Sequence, residues 1–166
     1  YGDYHDMMDL TESLIVSLAR EVYPDLKVPY GDKVLDLTPP WRRARYLDLF
    51  REYAHVDWHD AAAVAAKAAS LGIDVRGKNP HAVAGDVFEA TVEGHLTGPV
   101  FVIEYPTAIC PLAKARRDDP AVAERFELFF CGMEMANAFT ELNDPIDQRQ
   151  RFLRQLENRE EGMAKL

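Results

Sequence analysis

The chain reads as an α+β protein. Between Met7 and Val22, apolar residues return at three- and four-residue steps, the period of an α-helix. Between Ala61 and Ala69 the chain is nearly all alanine, the strongest helix former. From Arg125 to Glu141, two runs of strand character flank Cys131-Gly132, a two-residue turn with glycine in its second place. The resulting order is helix, strand, helices, strand, hairpin, helix. That is an α+β pattern.

Met7, Leu10, Leu14, Leu18 and Val22 share one face of a first helix that stops before Pro24. Tyr30 to Leu37 holds a short alternation, with Val34, Leu35 and Leu37 among charges, and reads as one strand ending at Thr38-Pro39-Pro40-Trp41. Tyr46, Leu49, Phe50 and Tyr53 mark a short helix. The texture then changes from Asp57 to Gly98. The alanine-rich helix has Asp57 or Asp60 as N-cap and Gly72 as C-terminal stop, and a second helix is expected from about Pro80 to Leu96. Val100-Phe101-Val102-Ile103 is too short for a buried helix and is rich in β formers. A loop with Pro106, Pro111 and Pro120 leads to the hairpin. Asp144-Pro145, an N-cap and a first-turn proline, opens a last helix whose apolar face is Phe152, Leu153 and Leu156. Residues 1–56 and 99–166 are thus predicted to form a β-rich core, and 57–98 a small helical insertion.

Composition narrows the function. Hydrophobic residues make up 48% of the chain, enough for a real core, and its prolines are spread rather than clustered. The formal net charge of -9 repels phosphate backbones, so the chain as a whole is not a nucleic-acid grip. Cys110 and Cys131 form no CxxC pair, a pattern of reducing compartments. No apolar run approaches the roughly 20 residues that span a bilayer, and cytoplasm is the expectation. His5, His55, His59, His81 and His95 lack zinc spacing, and no Ser-His-Asp, P-loop or GxGxxG pattern occurs. The chain opens without an initiator Met, almost directly into a helix, and is expected to be a piece of something longer.

The hairpin carries the chemistry. With Cys131-Gly132 as its turn, Phe130 faces Met133, Phe129 faces Glu134 and Leu128 faces Met135. Glu127 and Glu134 then emerge on one face as diagonal neighbours, about 7–8 Å apart at the backbone. A magnesium ion, which prefers oxygen ligands and substrate phosphates, would suit the space between them; two solvated strand carboxylates are the plainer alternative. Asn137, Phe139 and Glu141 alternate, and an amide, an aromatic wall and a carboxylate on one face could hold a cationic amino group. An amphipathic strand with Phe139 in the core is the alternative there. Glu134 and Asn137 are three residues apart, so a single site needs a bulge near Met135-Ala136.

Several motifs in series carry a resemblance. Glu104-Tyr105-Pro106, Pro111-Leu112-Ala113-Lys114, Glu124-Arg125-Phe126-Glu127, Ala136-Asn137-Ala138-Phe139 and Glu141-Leu142-Asn143-Asp144 resemble, in order and spacing, the segment before the last signature motif of bacterial-type class II lysyl-tRNA synthetases. So do Tyr4 with Met8-Asp9-Leu10-Thr11-Glu12, and Pro40-Trp41-Arg42-Arg43. The similarity covers essentially the whole chain, most weakly across the alanine-rich part. It implies part of an antiparallel-sheet catalytic core that activates lysine with ATP and passes it to tRNA-Lys. Glu127 and Glu134 fall on the family's carboxylates that hold Mg2+ between the ATP phosphates. Asn137, Phe139 and Glu141 fall on its lysine pocket, Glu141 as the acid that receives the ε-ammonium. A partly buried carboxylate suits that task, since a neutral analogue leaves it unpaired. No covalent nucleophile is implied.

The resemblance also implies a homodimer for the full-length enzyme and tRNA contacts mainly outside this chain. Motif 2, with its α-phosphate arginine, is expected upstream of Tyr1 and motif 3 downstream of Leu166, so the chain alone is expected to be inactive. Two residues depart from the family: Cys110 stands where Ser is usual, and Met133 replaces a usual Lys or Arg in the hairpin. Lys114, Arg116 and Arg117 form a small basic cluster that reads as a solvated loop, with contact to a phosphate or the tRNA end as the alternative. Two rival functions stand beside the main one. One is the related ligase that attaches β-lysine to elongation factor P, whose segment usually departs from Glu141-Leu142-Asn143-Asp144; the other is a non-catalytic binding fragment.

Overall fold

The computed structural model describes residues 2–163, and side chains from 2 to 156. Helix α1 (Tyr4–Val22) starts from a capping box in which Asp3 and Asp6 each accept the other's backbone N–H, and it ends at Tyr23, just before Pro24. Strands β1 (Lys27–Tyr30) and β2 (Lys33–Asp36) form a two-stranded antiparallel ribbon. Gly31, at φ 60°, makes the turn between them. The single strand expected over 30–37 is therefore two: Tyr30 closes β1, and only 33–36 lie in β2.

The central sheet has four strands in the order β3-β4-β5-β6, with β3 (Arg42–Arg45), β4 (Val100–Ile103), β5 (Arg125–Phe130) and β6 (Met133–Phe139). The pairs β4–β5 and β5–β6 are antiparallel, while β3 runs parallel to β4. A parallel pair needs a long crossover connection. Helices α2 (Tyr46–Ala54), α3 (Ala61–Ser70) and α4 (Pro80–Thr91) supply it. Asp60 caps α3 through the Ala63 N–H and Gly72 follows at φ 75°. The second helix of the pair ends earlier than Leu96: α4 stops at Thr91, and residues 93–95 tighten into a 3₁₀ turn. The final helix, α5 (Pro145–Met163), is capped by Asp144, whose carboxylate accepts from the Ile146 and Asp147 N–H groups.

The sheet is covered on both faces, which explains why β4 is a continuous apolar run. On one face Tyr46, Phe50, Trp58, Val87 and Phe88 pack over Val100, Val102 and Phe129. The Tyr46 ring lies stacked on Phe88 with centroids 4.0 Å apart. On the other face Tyr4, Met8, Val16, Leu35 and Trp41 cover Phe101, Phe126 and Leu128.

Two apolar faces read from the sequence turn outward. In α1 the buried residues are Tyr4, Met8 and Val16, while Met7, Leu10, Leu14, Leu18 and Val22 are 42–69% exposed. Phe152, Leu153 and Leu156 of α5 are likewise exposed. Periodicity reports that a helix has an apolar face, not what lies against it.

Candidate functional site

The hairpin β5–β6 turns at Cys131 and Gly132, both left-handed at φ 56° and 72°, the geometry that a two-residue turn requires. Phe130 pairs with Met133 and Phe129 with Glu134, but Leu128 pairs with Ala136 rather than Met135. Met135 is an extra, bulged residue, and Glu127 comes to lie opposite Asn137 and Arg125 opposite Phe139. Directly opposed residues share a face. Arg125, Glu127 and Phe129 of β5 therefore look out with Phe139, Asn137 and Glu134 of β6, on the side of the sheet that α2 and α4 cover.

Glu127 is the buried charge of this face, 9% exposed. One carboxylate oxygen accepts from the Tyr105 hydroxyl at 2.6 Å. The other accepts from the Arg125 guanidinium and from the Asn137 amide, the latter at 3.2 Å. Burial is the main influence on this acid and holds its carboxyl above the usual range, with the Tyr105 bond and Arg125 opposing and Glu134 reinforcing. Burial likewise raises Glu93, in the turn after α4, helped by Glu89, Glu127 and Glu134. Negative charge thus collects around Glu127 and Glu134.

Glu134 and Asn137 are exposed, and Phe139 is half-buried against the crossover-side core. Glu141 extends the run beyond β6 and is bridged to Ala113 of the proline-bearing loop. It is exposed here, not partly buried as expected. The bridge is continued by Lys114 N–H to Thr140 C=O at 2.8 Å and Leu142 N–H to Leu112 C=O at 2.9 Å. Among the described residues no group of three or more His, Cys, Asp or Glu is arranged to hold a metal. Two grooves, of about 490 and 810 Å³, lie elsewhere, one along α1 and one between α4 and α5.

Sequence reasoning passed over Arg125 and Tyr105 as more than parts of motifs. Arg125 touches Glu127, Asn137 and the Cys110 sulfur, the last at 3.3 Å, and its guanidinium carbon sits 4.8 Å from the Tyr105 ring centroid. The available signal was the alternation Arg125, Glu127, which puts opposite charges side by side on one face. Cys110 is buried, and burial pushes its thiol up, so it serves here as a weak acceptor and not as a reactive thiolate. Met133, the departure from the family's usual Lys or Arg, accepts from the Tyr30 hydroxyl at 3.8 Å. In the basic cluster, Arg116 is taken up by Glu104 at 2.8 Å and Asp118 at 2.6 Å.

The sequence that builds this sheet and its bulged hairpin has relatives among known proteins. The family described as tRNA synthetases class II (D, K and N) matches residues 1–166, and the chain belongs to it. Lysine–tRNA ligases are among the curated relatives it matches. Those of Thermoanaerobacter sp. (strain X514), Thermotoga sp. (strain RQ2) and Moorella thermoacetica are each 46% identical over 98% of this chain. The chain spans about a third of their length, 33%, 32% and 34% respectively.

Proposed function

We propose that the protein carrying this chain is a lysine–tRNA ligase and that the chain supplies part of its lysine and Mg2+–ATP site. The observation that carries the reading is the bulged hairpin, which presents Glu127, Glu134, Asn137 and Phe139 on one face of the sheet. The donor chemistry fits the metal: two carboxylates in a negative field suit a hard cation that takes its remaining ligands from water and substrate phosphates. When bound, the ion neutralises phosphate charge during displacement.

The chain's own residues then bind and orient. Asn137 and Phe139 place lysine, and Glu141 takes its ε-ammonium. Glu127 and Glu134 would hold the Mg2+ ion that meets the phosphates. No side chain needs to form a covalent bond, because the lysine carboxylate attacks the ATP α-phosphorus in line, releasing pyrophosphate and giving lysyl-adenylate. The terminal ribose hydroxyl of tRNA-Lys then accepts the lysyl group. Catalysis of this kind rests on positioning and charge neutralisation.

In this reading residues 57–98 are an insertion on the catalytic sheet, and the complete enzyme is a cytoplasmic homodimer. No helix among the described residues is long and apolar enough to cross a membrane. The intact Glu141-Leu142-Asn143-Asp144 favours tRNA over elongation factor P as acceptor. The test is Glu141→Gln in the complete protein. It should raise the lysine requirement of ATP–pyrophosphate exchange sharply while leaving ATP binding in place. Unchanged lysine dependence would remove Glu141 from the pocket. The 166 residues alone should form no adenylate, and lysine-dependent exchange by them would overturn that expectation.

A further inference from the structure

Arg125 sits where the two halves of the proposed site meet. Its guanidinium donates to Glu127 on the phosphate side, and its Nε donates at 3.3 Å to the Asn137 side-chain oxygen on the lysine side. Asn137 closes the triangle by donating to the Glu127 oxygen that Arg125 also holds. The remaining Nη reaches Cys110, and the flat face lies over Tyr105, whose hydroxyl holds the other Glu127 oxygen. The arginine side chain is only 18% exposed and that of Glu127 11%. Two charges so far out of water cost a good deal unless the geometry is good and every donor is used. A planar fork with five donors meets these four partners; a lysine ammonium on a flexible stem cannot bridge them in the same way.

Resting on the function proposed above, we propose that Arg125 is a positioning residue that couples lysine binding to Mg2+–nucleotide binding. A cation arriving beside Glu127 draws on the oxygen that Arg125 and Asn137 share. Arg125 keeps its hold on the Asn137 oxygen, so the amide is reset when the phosphate side fills. Lysine seated against Asn137 preorganises the same triangle from the other direction. Such coupling is reciprocal: each ligand must tighten the other by the same factor.

The experiment measures that factor in the complete protein by calorimetry. Lysine is titrated with and without saturating Mg2+ and a non-hydrolysable ATP analogue, and the analogue with and without lysine. The wild type should show equal factors in both directions, on the order of 10-fold. Arg125→Lys keeps the charge but loses the bridge, and its factor should fall to near unity while each ligand still binds alone. Tyr105→Phe keeps the ring under the guanidinium and frees one Glu127 oxygen, and should lower the factor by several-fold. It serves if the arginine variant folds poorly. A purely structural Arg125 would lower the melting temperature with the factor intact, and that result overturns the proposal. So does a wild type that binds both ligands without coupling. A wild type that binds neither lysine nor the analogue overturns the functional reading itself, and this inference with it.

Discussion

Glu134 and Asn137 lie on the same face of β6 although they are three positions apart. Met135 is the reason, because it is the one residue of the run without a partner on β5. Glu134 is exposed, so its exchange for Gln should change folding stability by no more than about 0.5 kcal/mol in urea denaturation. In the complete protein the same exchange should lower Mg2+-dependent pyrophosphate exchange at least about 100-fold, since even outer partners of a metal cost up to that much. Undiminished exchange would place the metal elsewhere.

Glu127 gives a pH signature. Its carboxyl is held above the usual range by burial, so protonation favours the folded state. That contribution is complete below the unfolded value near 4.5 and is lost as pH rises through the folded value. Relative to Glu127→Gln, the wild type should therefore lose stability as pH rises above about 4.5, measured by urea denaturation with EDTA present. Asp147, held low by Arg151, contributes the opposite slope in both proteins and cancels in the comparison. A wild type that gains stability relative to Glu127→Gln as pH rises would contradict the burial argument.

The outward face of α1 predicts a contrast between neighbours. Leu14→Gln and Leu18→Gln, at 54% and 62% exposed, should each shift the stability of this chain by no more than about 0.5 kcal/mol in urea denaturation. Met8→Ala, at 0% exposed on the opposite side, should cost about 2–5 kcal/mol. Comparable losses on both sides would mean that the helix is seated the other way round.

Thr140 carries a smaller forecast. Its hydroxyl is buried and has no hydrogen-bond partner among the described residues. An unmade bond costs about 1–3 kcal/mol, so Thr140→Val should be neutral or stabilising by up to about that amount in thermal denaturation. A clear loss of stability would reveal a bond that forms in solution.

The hairpin was legible because its signals are local: a turn needing two left-handed residues, alternation on both arms, and a parity conflict that only a bulge resolves. Strand β3 was not. Arg42-Arg43-Ala44-Arg45 has a single buried residue and lies at the sheet's edge, where alternation leaves no apolar signal. Strand β1, with Pro29 and three exposed positions out of four, was hidden for the same reason. The parallel β3–β4 pair follows from neither composition nor period, although the long helical stretch between the strands is the connection it demands. Arg125 and Tyr105 were invisible as a pair because the long connection between β4 and β5 brings them together. Only the fold sets a guanidinium over that ring.

The hairpin's tip is stapled to the chain just past α4. Cys131 N–H reaches the Thr97 carbonyl and Gly132 N–H the Leu96 carbonyl, both at 3.1 Å, and the φ of 72° at Gly132 would strain any side chain placed there. Glu134 is two residues from that staple. The ribbon that carries both acids is thereby tied at its tip to the end of the crossover, so a tilt of α4 would pull on it. Any change in the crossover helices must still return the chain to this one mooring.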